Sequence, residues 1–378
     1  MDIRNFTSGQ LLSQIGYKSF APEKINLEWI ITSPEINTLL EEATGKVSAL
    51  NVYSLMIPDV EIFIRMHIVK EATTSSKIEG TQTQLEEAVL SKLQVNEEGR
   101  DDWQEVQNYI RAMNFAIAEL DSLPLSNRLL KATHQLLMQD VRGTHKAPGE
   151  FRRSQNWIGG SSLKDAVYVP PHHTELEALM SDLEKFLHNR KIHVPHLIRI
   201  AIAHYQFETI HPFLDGNGRL GRLLITLYLV SNRILKKPSL YLSDFFERNR
   251  QLYYDNLTGV RTKNDLIQWI KFFLAGVIET ADKSIGVFDS ILALMKTIEE
   301  EKIITLGKRS PLARKMLDYI CTKPVITVSD LIDELKTSKP TANALVKDFV
   351  RLNILEEKTG YKRNRIFIFE EYLELFRK

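Results

Sequence analysis

The sequence predicts a mainly α-helical protein that ends in a smaller unit of helices and short strands. Three observations predict this class. Apolar residues recur at the three- and four-residue spacing of a helix face through most of the first 300 residues. Within those 300 residues, only 151–171 have the strand-like runs and turn residues of a β-hairpin. The pattern then changes after about residue 305.

Composition limits the class of protein further. The chain has 378 residues, of which 43% are apolar and 26% are charged, as in ordinary globular proteins. The net charge of +1 predicts no overall attraction to nucleic acid or membranes, so any basic surface is local. The single cysteine, Cys321, fits a reducing compartment. No signal peptide pattern opens the chain, and no apolar run approaches the ~20 residues that span a bilayer. We expect a cytoplasmic protein with no membrane partner.

The helical part begins with two segments, 29–50 and 60–79. The second ends at Gly80, a residue suited to the left-handed position after a helix. Thr83 and Glu86 have the spacing of a capping box that opens a further helix. The other periodic segments are 103–120, 126–139, 174–189, 196–209, 219–234 and 265–301.

One interval among these helices has the pattern of a hairpin. Residues 155–158 and 166–169 are strand-like and flank a Gly-Gly-Ser-Ser turn, and Pro170 and Pro171 end the interval. Because an isolated hairpin is only marginally stable, we expect it to lie on the helical body and to present an unpaired strand edge.

The C-terminal segment has three helical stretches, 310–324, 328–338 and 339–353, followed by two strand-like runs within 354–369. Pro340 falls in the first turn of the third helix, where proline is favoured. This order is that of a winged helix-turn-helix domain, which we place at residues 305–378. Polar residues of the third helix and basic residues of the turn are candidates for DNA contact: Lys339, Thr341, Asn343, Lys347, Lys362, Arg363 and Arg365.

Residues 311–378 carry 13 Lys and Arg against 10 Asp and Glu, a weak basic excess for a DNA-binding domain. Winged helices also serve as protein-interaction or dimerisation modules. DNA binding and protein binding both stay open at this point, as does a homodimer.

The stretch HPFLDGNGRLGR, residues 211–222, concentrates the polar chemistry of the chain. Gly216, Asn217 and Gly218 precede a predicted helix, where free backbone N–H groups and the helix dipole form an anion site. Arg219 and Arg222 are three residues apart, so both can reach one polyphosphate from the same helix face. The stretch is not a Walker loop, because the chain has no GxxxxGK[ST] pattern.

Two further residues of the stretch supply reactive groups. Asp215 offers one hard oxygen ligand, and Mg²⁺ takes one or two carboxylates and completes its shell with phosphate oxygens and water. His211 titrates near neutral pH and can accept a proton from an attacking hydroxyl. Together these residues predict transfer of a phosphorus-centred group from a Mg²⁺-nucleotide.

The whole stretch resembles the signature of Fic-domain proteins, His-x-Phe-x-Asp/Glu-Gly-Asn-Gly-Arg-x-x-Arg, at every defined position. The resemblance implies a Fic-type helical bundle that transfers AMP from ATP to a Ser, Thr or Tyr hydroxyl of a target protein. It implies that His211 is the base, that Asp215 holds Mg²⁺ and that residues 216–218 bind phosphates. Arg219 and Arg222 would then hold the tail of the nucleotide.

Two other segments are similar to parts of that family. The hairpin resembles the flap that binds the target by strand addition, which implies target contacts for Ile158, Gly159, Gly160 and Tyr168. The alternative is a simple cover over the core. The stretch YLSDFFERNRQLYY resembles the segment that lines the nucleoside pocket and would involve its polar and aromatic residues, although such a cluster also fits core packing. These residues are Asn249, Tyr253 and Tyr254.

A second motif, SSKIEG, ends the predicted helix at 60–79. Glu79 lies in the last helical turn, where the helix dipole disfavours an anion, so a distant cationic partner or simple solvation is expected. The motif resembles the inhibitory helix of Fic proteins, Ser/Thr-x-x-x-Glu-Gly/Asn, with Ser75 and Glu79 at its defined positions. The resemblance implies an inhibitory helix at about residues 62–80 whose Glu79 pairs with Arg222 and blocks productive binding of the γ-phosphate.

The sequence thus predicts three regions: a helical region with the inhibitory helix at 1–100, a catalytic core with the flap at 101–300, and the winged unit at 305–378. The predicted function is an autoinhibited protein adenylyltransferase that uses ATP and Mg²⁺. The alternatives are a DNA-binding transcriptional regulator whose core senses nucleotide, and an enzyme that removes AMP from a modified target.

Overall fold

A computed structural model describes residues 1–56, 60–139, 146–360 and 365–377. Helices dominate it, so the predicted fold class is confirmed. None of the helices in these ranges combines the length and apolar character that crossing a bilayer requires. The helices are α1 Pro34–Met56, α2 Val60–Ile78, α3 Leu85–Ala88, α4 Arg100–Glu119, α5 Asn127–Leu137, α6 Leu176–His188, α7 His196–Ile210, α8 Asn217–Ser231, α9 Ser243–Arg248, α10 Arg250–Lys263, α11 Leu266–Thr297, α12 Ser310–Thr322, α13 Val328–Leu335, α14 Lys339–Arg351 and α15 Glu370–Arg377.

Most predicted helices are present with ends shifted by a few residues. Gly80 adopts the expected positive φ, +110°, directly after α2. The capping-box prediction at Thr83 and Glu86 was one residue out of register, because Glu87 accepts the hydrogen bond from the backbone N–H of Gln84 at 3.1 Å. The helices α9 and α10 were not predicted.

Helix α7 forms the centre of the helical body, and residues 197–210 are all buried. It contacts α6, α8 and α11. A helix buried on every side must satisfy its polar side chains internally. His204 does so by bonding the carbonyl of Gly221 on α8 at 2.8 Å and the hydroxyl of Tyr253 on α10 at 2.9 Å. These bonds fix α7 relative to α10 and to α8, the helix that begins within the 211–222 stretch.

The expectation of a single hairpin in the first 300 residues was wrong. Strands β1 Gly9–Ser13 and β2 Lys18–Pro22 form an antiparallel pair near the N-terminus. These strands were not predicted because β1 is largely exposed and carries Leu11 and Leu12 on the surface. Its sequence lacks the alternation of buried apolar and exposed polar residues that is typical of a half-buried strand.

The predicted hairpin at 155–169 is reduced to one antiparallel bridge between Ile158 and Tyr168, with N···O distances of 2.8 and 3.1 Å. Gly159 and Gly160 both have positive φ, and the Asp165 carboxylate binds the hydroxyls that follow them, so local side-chain bonds replace a strand ladder. The strand edge is not fully unpaired either, because the Val169 carbonyl accepts a hydrogen bond from β2 at 2.9 Å.

The three predicted C-terminal helices are present as α12, α13 and α14, and Pro340 lies in the first turn of α14 as expected. The strands that follow are β4 Glu356–Glu357 and β5 Ile366–Ile368. An unpredicted strand, β3 Val325–Thr327, pairs with β5 in an antiparallel sheet of order β3-β5-β4. Helix α15 was also not predicted.

Of the candidate DNA contacts, Lys339 and Lys347 are exposed, and Thr341 and Asn343 are half-buried. Arg365 is half-buried and its guanidinium lies 5.3 Å from the centre of the Phe367 ring. Lys362 and Arg363 lie outside the described residues. Their roles stay predictions, as does the assignment of this unit as a winged helix.

The C-terminal unit contacts α2 directly through α12 and α15. The Phe376 ring lies 5.2 Å from the His67 ring of α2, and Arg377 forms an ion pair with Glu86, seven residues beyond Glu79. Helix α2 is therefore held on one side by the C-terminal unit, and its other contacts include α8 and α9.

Candidate active site

His211 ends α7 in a left-handed conformation, with φ 49° and ψ 59°, and its N–H donates to the Phe207 carbonyl at 2.9 Å. Its own carbonyl accepts hydrogen bonds from Arg152 Nε at 3.0 Å and Asn156 Nδ2 at 3.3 Å. Its Nδ1 atom is buried and has no partner among the described residues. Burial lowers the pKa of His211 to about 4, although the charge of Glu79 acts in the opposite direction. The ring is therefore neutral near pH ~7, the form that accepts a proton.

The Gly-Asn-Gly segment places a helix N-terminus beside this histidine. Helix α8 begins at Asn217, two residues before the predicted start, and Gly216 before it has φ +73°. The Asn217 amide accepts from the N–H of Phe213 and donates to its carbonyl, both at 2.8 Å. The side chain of Asn217 thus braces the loop, and the backbone of the segment is the part that can face an anion.

Glu79 lies directly against this helix N-terminus. A Cβ atom on Gly218 would be only 2.2 Å from Glu79 Oε1, so a glycine is needed for the carboxylate to sit there. Arg222 donates from Nη2 to Glu79 Oε1 at 2.7 Å and to the Ser75 carbonyl at 2.8 Å, and from Nε to the Ser75 hydroxyl at 2.8 Å. The predicted residues of the two motifs are therefore brought together.

Burial and charge oppose each other in this pair. The Arg222 side chain is 2% exposed and that of Glu79 is 36% exposed. Burial alone would raise the pKa of Glu79, but the charge and hydrogen bond of Arg222 outweigh it and lower that pKa. Burial likewise acts to lower the pKa of Arg222, and Glu79 raises it well above its usual range. Both groups are charged near neutral pH.

Arg219 has a different partner. Its Nη1 atom lies 2.8 Å from Glu105 Oε2 on α4, and its side chain is 4% exposed. Glu105 was not predicted, because nothing in the spacing of α4 distinguishes it from a surface glutamate. In this structure each motif arginine is held by its own carboxylate.

Asp215 is the candidate metal ligand. Its Oδ2 accepts from Lys146 Nζ at 2.6 Å, and its Oδ1 accepts from the Gly216 N–H at 2.6 Å. Burial would raise the pKa of Asp215, but Lys146 outweighs it and keeps the group ionised. No cluster of three or more potential metal ligands occurs among the described residues. A single ionised carboxylate fits Mg²⁺, which obtains its other ligands from phosphate and water, and the ammonium of Lys146 shows that a cation is accommodated there.

His134 on α5 is a fully buried residue of the site that the sequence analysis missed. Its Nδ1 accepts from the Gly149 N–H at 2.9 Å, so Nε2 carries the proton and donates to the Asp215 carbonyl at 2.9 Å. The ring stacks on Phe213 with 3.8 Å between centroids. His134 thus orients the peptide between Asp215 and Gly216. Its distance in sequence from the motif left no signal that could have found it.

The three residues predicted to contact the nucleoside lie in different environments in the structure. Tyr253 is 1% exposed, bonds His204 and stacks on Phe246 at 4.4 Å, so it occupies the aromatic core, which was the alternative reading. Tyr254 is 38% exposed. Asn249 is half-buried and its amide donates to the Phe245 carbonyl at 3.0 Å. Nucleoside contacts at Tyr254 and Asn249 stay predictions.

The 151–171 segment lies over the end of α7. The Tyr168 hydroxyl donates to the Thr209 carbonyl at 2.8 Å, two residues before His211, and the Arg261 guanidinium lies 4.0 Å from the ring centre. Ile158 is half-buried, and Gly159 and Gly160 are exposed. The segment is therefore fixed beside the histidine. The target contacts assigned to it stay predictions.

Glu79→Gln tests the charge of the carboxylate. Because the folded pKa of Glu79 is lowered, its ionised form stabilises the fold above the unfolded pKa, and this contribution is lost as the pH falls through the folded pKa. We expect the wild type to have a higher Tm than Glu79→Gln near pH ~7, and the gap to narrow as the pH falls below the usual pKa of a glutamate. Glu150→Gln, at an exposed glutamate 3.8 Å from Lys131, serves as the control and should show little gap. A Tm gap for Glu79→Gln that does not change with pH would contradict this prediction.

His134→Leu should leave the Gly149 N–H and the Asp215 carbonyl buried without partners. We expect it to lower the free energy of unfolding by about 2–4 kcal/mol, measured by urea denaturation. The control is His193→Leu, at a ring that is 90% exposed, with an expected effect within about 0.5 kcal/mol. Equal effects of the two substitutions would show that His134 does not brace the loop.

Comparison with known proteins gives a consistent result. Residues 37–118 match the family model of the Fic/DOC family N-terminal region, and residues 124–229 match that of the Fic/DOC family. The protein adenylyltransferase Fic of Aedes aegypti is 34% identical over 135 residues, which are 35% of this chain and 24% of that protein. That of Culex quinquefasciatus is 31% identical over 199 residues, 51% of this chain and 36% of that protein. The chain thus spans from about a quarter to just over a third of the length of these curated relatives.

Solved structures show the same fold. A Fic family protein from Desulfovibrio desulfuricans G20 has a TM-score of 0.56 and 22% identity, covering 90% of this chain and 97% of its own. A Fic domain containing signaling protein from Bacteroides thetaiotaomicron has a TM-score of 0.53 and 17% identity, covering 66% and 97%. The chain therefore contains two domains of the Fic/DOC family, the family's N-terminal region at residues 37–118 and its Fic domain at residues 124–229.

Proposed function

We propose that the chain is a protein adenylyltransferase that transfers AMP from ATP to a Ser, Thr or Tyr hydroxyl of a target protein. The observation that carries the proposal is the placement of a neutral, half-buried His211 beside a helix N-terminus with Arg222 on its first turns. The names of the relatives support the same activity. As a cytoplasmic protein, the chain would meet its targets and ATP in one compartment.

The residues of the site have separate tasks in this reaction. The backbone of residues 216–218 and the guanidinium groups of Arg219 and Arg222 bind the phosphates. The imidazole of His211 takes the proton of the target hydroxyl as its oxygen attacks the α-phosphorus, and the bond to pyrophosphate breaks. Asp215 would hold Mg²⁺, which supplies charge neutralisation on the phosphates when it is bound.

Autoinhibition is the second part of the proposal. Two of the three nitrogens of Arg222 donate to Ser75 and Glu79, and the Glu79 carboxylate lies against Gly218 where a phosphate would approach. A carboxylate and a phosphate repel each other and compete for the same guanidinium. Productive ATP binding then requires that the end of α2 move away, so α2 with Ser75 and Glu79 acts as the inhibitory helix.

The proposed organisation keeps the regions 1–100, 101–300 and 305–378. The flap at 151–171 would receive an extended segment of the target through Ile158, Gly159, Gly160 and Tyr168. Two other activities are compatible with the site: removal of AMP from a modified target, and nucleotide sensing within a DNA-binding regulator. The four charged or titratable side chains of the motif favour the transferase, because a sensor needs no base.

Labelling with ATP carrying ³²P at the α- or the γ-position tests the activity in lysate. We expect Glu79→Gly to transfer label from α-labelled ATP only, and at least about tenfold more than wild type, because Arg222 is freed for the phosphate. Glu79→Gly combined with His211→Ala should transfer none. Transfer of γ-label would indicate a kinase, and no label from any variant would favour the regulator.

DNA binding by residues 305–378 is a separate proposal, based on exposed Lys339 and Lys347 of α14. Titration of the full chain with duplex DNA at increasing salt should show binding that weakens with salt, and weakens further in Lys339→Glu with Lys347→Glu. Binding to another protein or to a second copy of this chain, without salt-dependent DNA binding, would favour a protein-interaction or dimerisation module.

A further inference from the structure

A basic cleft lies at the ends of α7 and α8 that are opposite to the Fic motif. Its volume is about 1040 Å³, and its walls come from the end of α6, the loop before α7 and the end of α8. None of the described residues that line it is an aspartate or a glutamate. Its basic side chains are His188, Arg190, His193, His196, Arg199 and Arg233.

Arg199 is a buried cation in the wall of this cleft. It is 6% exposed, and its guanidinium donates to the carbonyls of Phe186, Asn189 and Ile192 at 2.5, 2.9 and 3.1 Å. Its Nε has no partner among the described residues. These bonds satisfy donors but supply no full negative charge, and the Glu28 carboxylate acts on Arg199 only from beyond ion-pair distance. A buried charge that is incompletely balanced is costly, and an anion in the cleft would complete the balance.

The cleft is distinct from the proposed nucleotide site. Helices α7 and α8 have 15 residues each and therefore extend about 22 Å. His196 and Ser231 lie at the cleft ends of these helices, and the motif lies at the other ends. One small ligand cannot reach both places.

The helix ends at the cleft also bear on its charge. The N-terminus of α7 favours an anion, and the C-terminus of α8 opposes it. Arg233 follows α8, and the Asn232 amide donates to the Tyr228 carbonyl at 2.9 Å, so the unfavourable end is partly neutralised. The Glu28 carboxylate, near the rim, accepts from the His193 N–H at 3.0 Å and is not part of the cleft wall.

We propose that this cleft binds a small molecule that bears two or more phosphate groups, through Arg190, Arg199 and Arg233. Guanidinium groups bind phosphate oxygens in pairs, and several of them in one concave site suit a ligand with adjacent phosphates. The volume is at the upper end of the range for small-molecule sites. A small molecule is favoured over nucleic acid because the buried Arg199 lies in a concave wall and not on an open basic surface.

Isothermal titration of the full chain with pyrophosphate, without divalent cations, tests the proposal. Arg190 and Arg233 are exposed, so Arg190→Glu with Arg233→Glu should fold normally and should weaken pyrophosphate binding by about tenfold or more. The matched control is Lys92→Glu with Lys263→Glu, which changes the net charge equally at exposed sites elsewhere and should bind as the wild type does.

Three outcomes overturn the proposal: no pyrophosphate binding by wild type, equal binding by the Arg190/Arg233 variant, or binding of single-stranded RNA alone. Arg190→Glu and Arg233→Glu would not change binding at the Fic motif. A loss of pyrophosphate binding in this variant would therefore exclude the Fic motif as the site of that binding. The test does not use AMP transfer, so it stands or fails independently of the proposed function.

Discussion

The need to neutralise the buried guanidinium of Arg222 governs the arrangement around the motif. The guanidinium of Arg222 is 2% exposed, and the Glu79 carboxylate supplies its countercharge at 2.7 Å. Leaving such a charge without a partner costs about 3 kcal/mol or more. In the proposed autoinhibition, Glu79 would leave when another anion takes its place, and a phosphate at the N-terminus of α8 is the anion that the local geometry suits. The inhibitory carboxylate and the substrate would then share one cation, Arg222.

The motif keeps its shape because buried polar bonds hold it from several directions. Arg152 and Asn156 bind the His211 carbonyl, His134 binds the Asp215 carbonyl, and Asn217 binds both backbone groups of Phe213. Together these bonds pair backbone groups that would otherwise be left without partners, so the loop has few alternative conformations. The loop is thus preorganised, which would lower the entropic cost of binding a phosphate there.

Local patterns predicted the helices and the contents of the motif, because apolar periodicity, stop glycines and helix N-termini are properties of neighbouring residues. The pairing of Glu79 with Arg222 was anticipated only through the resemblance of two motifs to one family. The roles of His134 and Glu105 were not predictable, since each acts across a distance in sequence that periodicity does not report. The β1–β2 hairpin was not predicted for a different reason. Its apolar residues are exposed and do not alternate with polar ones as in a half-buried strand.

The contacts of α2 suggest a mechanical basis for the proposed inhibition by Glu79. Glu79, directly after its end, pairs with Arg222, and His67 in the same helix packs on Phe376 of the C-terminal unit. Arg377 of that unit pairs with Glu86 on α3, seven residues beyond Glu79. Movement of the whole of α2 away from Arg222 would therefore disturb its packing on α12 and α15. In the proposed autoinhibition, looser packing of those two helices would then lower the cost of freeing Arg222.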